Sequence, residues 1–202
     1  MACPPFGRKL SVMFRFLRIA CALAAVVSVV LAAVPSDLRA DQTDPALTPL
    51  FDHLKTAANE EEAQVITEQI WHIWLNSGQE LVDSAMGRGI VAMHNGAYDT
   101  ALKDFEDVTS LAPDMAEGWN KKATVLYLMG RFPESVVAIE RTLKLEPRHF
   151  GALSGLGMIY LETGQKKAAI AVLEKALAIN PFMVSVKAHL RALKQEVDGR
   201  GI

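Results

Sequence analysis

Between Asp114 and Pro147 the apolar positions follow a helical beat. Trp119, Ala123 and Leu126 fall on one stripe, and Val136, Ile139, Leu143 and Leu145 continue an apolar side further on. Gly130 interrupts the two runs, because glycine takes the left-handed conformation at a helix C-terminus without steric cost. Pro133 follows in the first turn of the next helix, where its missing N–H is harmless, and Pro147 stops that helix. The pattern predicts two helices joined by a tight turn. Neither can bury its stripe alone, so stacking against similar units must supply the core.

The same pattern returns with a period of 34 residues: Pro113, Pro147 and Pro181 share a column, and so do Gly96, Gly130 and Gly164. Three more columns hold Ala101, Ser135 and Ala169, then Phe105, Ile139 and Leu173, then Val108, Thr142 and Ala176. A fixed period in this range signals stacked helical repeats. The expected fold is all-α, a superhelical array of antiparallel helix hairpins. Three clear repeats span 79–113, 114–147 and 148–181.

Both flanks read as caps. Residues 41–78 form a further, degenerate hairpin. One helix starts at Asp44-Pro45, and a second begins with Glu60, Glu61 and Glu62, acids that suit the positive end of a helix dipole. In the 34-residue register Trp71 takes the large slot of Phe105, Ile139 and Leu173, which makes this hairpin a degenerate first repeat. At the other end, in residues 182–202, Val186, Leu190, Leu193 and Val197 line one side of a helix, with Lys187, Arg191 and Lys194 on the other. That helix closes the array, and the tail after it is frayed.

Residues 1–40 read as an export signal. Arg8, Lys9, Arg15 and Arg18 precede an uncharged run of sixteen residues, Ile19 to Val34, and Leu38-Arg39-Ala40 offers a cut before Asp41. The run is short against the roughly 20 residues of a spanning helix, so a membrane contact is expected only through this segment if it is uncleaved. The expected location is periplasmic. Cys3 and Cys21 both lie in the signal. The exported part therefore has no disulfide, thiol nucleophile or cysteine metal site. Charge is uneven: residues 41–113 carry 3 basic and 13 acidic groups, and 114–202 carry 13 and 9. This excludes a basic nucleic-acid footprint and leaves an acidic front and a mildly basic back.

The columns bring out a resemblance. Leu153, Leu156, Gly157, Tyr160, Gly164, Ala169, Leu173, Ala176 and Pro181 follow the pattern of the tetratricopeptide repeat family. The second unit fits with Trp119, Ala123, Leu126, Gly130, Ser135, Ile139, Thr142 and Pro147. The first fits with Ala85, Gly89, Ala92, Gly96, Ala101, Phe105, Val108 and Pro113. The resemblance covers about residues 79–181. It gives Gly157 a role, since it holds the small-residue slot of Gly89 and Ala123, where the second helix of a hairpin approaches closely. A phosphate loop is excluded, because Gly155-Leu156-Gly157 lacks the third glycine and a preceding strand. Gly151 and Gly155 are extra to this pattern, and the sequence gives no account of them beyond a thinner helix face.

The chain shows no enzyme constellation: H-E-x-x-H, G-x-S-x-G and the P-loop are all absent, and no catalytic residue, metal site or cofactor is expected. His72 has only Glu68 as a neighbour at ligand spacing, and reads as a residue facing water beside Ile70, Trp71 and Trp74 in the core. The resemblance implies a concave groove lined by the first helix of each repeat. It places Met86, Ile90 and Met93 there from the first unit, Asn120, Thr124 and Tyr127 from the second, and Ser154, Met158 and Leu161 from the third. Asp83, Glu117 and Gly151 fall in the same groove, one per unit. The methionines suit varied apolar partners. The same residues can instead pack on the neighbouring hairpin, or be covered by the chain's own terminal helix. The paired cations of the family's carboxylate clamp are missing, with Asn120 and Lys121 the only hints. The expected function is a non-enzymatic scaffold binding a protein or peptide segment, in assembly or maintenance of the cell envelope. The alternative is an accessory subunit or adaptor that docks through its charged flanks, Glu60–Glu62 or the last helix.

Overall fold

The structure is a computed structural model and describes residues 42–199. The signal-segment and tail expectations lie outside the described residues. Those residues form nine helices and no strand. They are α1 (Leu47–Thr56), α2 (Glu60–Leu75), α3 (Glu80–His94), α4 (Tyr98–Leu111), α5 (Ala116–Leu128), α6 (Phe132–Leu145), α7 (Phe150–Glu162), α8 (Lys166–Ile179) and α9 (Val184–Asp198).

The three repeats are the hairpins α3–α4, α5–α6 and α7–α8, stacked in order, with α9 packed on α8. Their turns are built alike. Gly96, Gly130 and Gly164 have φ of +72°, +73° and +75°. In the middle turn the Gly130 N–H donates to the Tyr127 carbonyl and the Arg131 N–H to the Leu126 carbonyl. The other two turns repeat this pair of bonds, the Schellman arrangement that satisfies carbonyls left open at a helix end. Inside each hairpin the small slot faces the large one. A Cβ added to Gly89 would stand 2.6 Å from Phe105 Cε1, and one on Gly157 would collide with Leu173. In the middle repeat Ser135 donates its hydroxyl to the Ala123 carbonyl at 2.7 Å.

The N-terminal hairpin forms as expected but does not continue the stack. One period before Gly89 stands Lys55, an exposed side chain where the repeats need a small one. Trp71 therefore does not pack into its own hairpin as Phe105 and Leu173 do. It turns outward onto Phe150 and His149, with ring centroids 5.4 and 5.5 Å away. The hairpin lies along the edge of the array where the repeats join. Gln42 bonds the Asp114 carbonyl and the Ala116 N–H at the start of α5, and the Asn180 amide reaches the Thr67 hydroxyl before α9. Its core of Leu47, Phe51, Leu54, Ile66, Ile70 and Trp74 closes over Phe150. Arg148 lies 4.4 Å above the Phe51 ring and pairs with the buried Glu146 carboxylate at 2.8 Å. His72 is exposed, while Ile70 and Trp74 are buried and Trp71 half-buried, as the sequence suggests.

Candidate functional site

The first helices of the repeats, α3, α5 and α7, run side by side and define the concave face. α2 packs on α5 and on the start of α7. There, Trp74 stacks on His149 with centroids 4.1 Å apart and 10° between the planes. His149 is fully buried at the start of α7, and its Nδ1 accepts the Ala152 N–H at 3.1 Å, capping the helix. The proton therefore stands on Nε2, which donates to Glu117 Oε2 at 2.8 Å. Asn120 donates to the same oxygen at 2.9 Å, and the Lys121 ammonium lies 3.1 Å from the other oxygen. Burial pulls the Glu117 pKa up, but Lys121 and the bond from His149 outweigh it and hold the carboxyl below its ordinary 4.5. Lys121 also sits 5.5 Å over the Trp71 ring.

Glu117 and Gly151 are thus covered groove positions. The indole of Trp71 lies against the Gly151 backbone, where an added Cβ would be 2.7 Å from Cη2. This close approach gives Gly151 the purpose that the repeat pattern alone does not assign. The terminal segment that covers part of the groove is the N-terminal hairpin. The two hints of a carboxylate clamp, Asn120 and Lys121, are both bound to Glu117.

Beyond α2 the concave face stays open between α5 and α7. Asn120, Thr124, Tyr127 and Met158 line a cleft of about 90 Å³ with Gly151 and Gly155. At Gly155 an added Cβ would meet nothing closer than Ile139 Cδ1 at 3.8 Å, so this glycine leaves a true gap. Burial, and then the Glu162 carboxylate, push the Tyr127 hydroxyl pKa up, so an anionic group stands near one end. The structure does not bring the other expected residues into this cleft. Met86 is buried in the core of the first two repeats and is no surface residue, because α5 packs beside α3 there. Ile90 and Met93 pack partly on the same core, and Leu161 on the core under α9. Ser154 is half-buried in the face and does not line the cleft. Among the described residues no three His, Cys, Asp or Glu side chains cluster as metal ligands, and no helix is long and apolar enough to cross a membrane.

A tetratricopeptide repeat profile matches residues 120–184. A TPR repeat-containing protein of Rhizobium etli is 31% identical over 153 residues, which are 76% of this chain and 75% of that protein. The Hsp70-Hsp90 organizing protein of Triticum aestivum is 29% identical over 115 residues, 57% of this chain but only 20% of that protein. Among solved structures, the TPR2B domain of yeast Sti1 in its pHsp70 complex superposes with a TM-score of 0.54 at 16% identity, over 58% of this chain and 99% of that one. The first TPR of Spaghetti (RPAP3), bound to the HSP90 peptide SRMEEVD, gives 0.56 at 16% identity, over 59% and 94%. The solved structures share the fold, and the Rhizobium relative shares sequence along most of both chains: the protein belongs to the tetratricopeptide repeat family.

Proposed function

We propose that the protein is a non-enzymatic scaffold that holds a peptide or protein segment in the cleft between α5 and α7. The observation that carries this is the α5–α7 gap itself, with Thr124, Tyr127 and Met158 half-buried around it. Its volume of about 90 Å³ suits one inserted side chain and falls well below the roughly 300 Å³ where small-molecule sites begin. The RPAP3 domain with its bound HSP90 peptide and the Sti1 domain in its pHsp70 complex support the same mode of use. The recognised segment differs from an acidic chain end. Among the described residues no Lys or Arg lines the cleft, and Glu162 stands near Tyr127, so a neutral or basic segment with an apolar anchor fits. The uncharged run after a basic start supports export to the periplasm and a role in assembly or maintenance of the cell envelope.

The test is crosslinking in cells from a photoreactive residue at Met158, comparing wild type with Tyr127→Glu at equal helicity by circular dichroism. A discrete partner captured by the wild type and lost in the variant is the expected result. The same partner captured equally by both overturns the reading.

A further inference from the structure

Among the described residues, the leading face of α3 is a stacking face with no hairpin on it. In the 34-residue register Leu81 precedes Met115, and Val91 precedes Val125 and Ile159. Met115 is 2% exposed, Val125 0% and Ile159 2%, because the preceding hairpin lies over each. Leu81 is 74% exposed and Val91 60%. The cause is the displaced N-terminal hairpin, which lies along the edge of the array. Arg88 shows the same contrast. Its counterpart Lys122 reaches back 3.3 Å to Glu106 on the preceding helix α4. Among the described residues Arg88 has no preceding repeat helix, and it turns to Asp104 of its own hairpin at 3.0 Å.

The face is shaped for a helix. An added Cβ on Gly87 meets nothing within 4 Å, so a partner backbone can come close. Two open clefts flank the ridge of Ser84 and Arg88, one of about 660 Å³ reaching Val91 and one of about 280 Å³ reaching Leu81 and Leu111. Among their lining residues Asp83, Asp104 and Asp107 stand against Arg88, so the face is net negative. Two copies of this face would repel each other, which argues against self-pairing.

We propose that this face docks a basic amphipathic helix of a protein partner. Its apolar stripe covers Leu81 and Val91, and its lysines or arginines lie beside the exposed Asp107. The surface is distinct from the α5–α7 cleft and does not depend on it. The chain already holds such a helix in the matching role, since α8, with Lys166, Lys167 and Lys175 against Glu174, covers Leu190 and Leu193 of α9.

The probe is a stapled peptide of the α8 sequence, Lys166–Ile179, carrying a photoreactive group and titrated onto the full 202-residue chain. The expected result is crosslinking within α3 and binding that weakens with salt. Leu81→Asp or Val91→Asp, both on exposed positions that leave helicity unchanged, should reduce affinity about tenfold or more. The proposal is overturned by absence of binding, by equal binding of the variants, or by equal binding of a peptide with its lysines changed to glutamate. A solution dimer abolished by Leu81→Asp overturns it in favour of a second copy. Crosslinks from residues 1–40 to α3 overturn it in favour of the chain's own leader.

Discussion

Trp74 and His149 lie face to face, 4.1 Å between ring centroids, one from the N-terminal hairpin and the other from the start of the third repeat. The stack is central because each ring has further obligations. His149 caps α7 through Nδ1 and holds Glu117 through Nε2, while Trp74 also meets Phe51, Trp71 and Phe150. A single contact thus ties the edge hairpin to two repeats.

Trp74→Ala should cost about 3–5 kcal/mol, the range for emptying a fully buried aromatic site. The loss should concentrate in α1 and α2, which have no stack to hold them. Hydrogen exchange followed by mass spectrometry should show α2 amides exposed while α5 to α8 stay protected. Uniform loss of protection across the repeats would show that the hairpin folds as one unit with the array. Trp74→Phe should cost less, since it keeps a ring on His149 and removes an indole N–H that is buried without an acceptor.

The two glycines of α7 should respond oppositely. A side chain at Gly151 drives into Trp71, so Gly151→Val should lose about 1–3 kcal/mol by overpacking. Gly155→Ala meets only Ile139 at ordinary contact distance and gains helix propensity, so it should raise stability by up to about 1 kcal/mol. Urea midpoints of the two variants decide this, and equal shifts would contradict the assignment. Because Gly155 lines the cleft, Gly155→Ala should also weaken capture of a segment anchored there.

Arg148 fastens α1 from the far side. Its guanidinium pairs with Glu146, which is buried, and covers the Phe51 ring. Arg148→Met keeps the apolar stem but leaves a buried carboxylate without its cation, at a cost of about 1–3 kcal/mol. The double variant Arg148→Met, Glu146→Gln should recover part of that loss. No recovery would mean that the arginine acts through Phe51 alone.

The hairpins were legible because their determinants are local and recur: Gly130 at its turn, Ser135 on Ala123, Leu173 over Gly157. The edge hairpin was not, because its helices follow the same apolar periodicity whichever neighbour they meet. Its position depends on pairs distant in sequence, such as Trp71 with Gly151 and Thr67 with Asn180. Two signals did stand in the chain. Lys55 occupies the small slot, and Gly151 falls outside every glycine column. A glycine without a turn or slot marks a close approach from elsewhere. Of the groove residues, Asn120, Thr124, Tyr127 and Met158 share one cleft because they occupy facing positions on adjacent helices. Met86 has the same register but is buried, since register alone does not say how closely α5 packs beside α3.

Glu117 makes the pH dependence of this assembly specific. Its carboxyl is buried, which raises its pKa, yet Lys121 and the His149 hydrogen bond bring it below the ordinary 4.5. A carboxyl whose folded pKa is depressed adds stability that is fully present above its unfolded value. That stability is lost as pH falls through 4.5 toward the folded value, because the unfolded chain takes up the proton first. Below that window the protonated acid no longer accepts fully from His149 and Asn120, its ion pair with Lys121 is lost, and the tie between α2, α5 and α7 weakens. Glu117→Gln should therefore be less stable than wild type at pH 7 and show a shallower fall in stability between about pH 5 and pH 3. Chemical denaturation across that range, read by tryptophan fluorescence, measures both slopes. Because Trp71 and Trp74 sit on the network, their emission should shift before the helical signal is lost in the wild type. Parallel slopes in the two proteins would place the acid-sensitive group elsewhere.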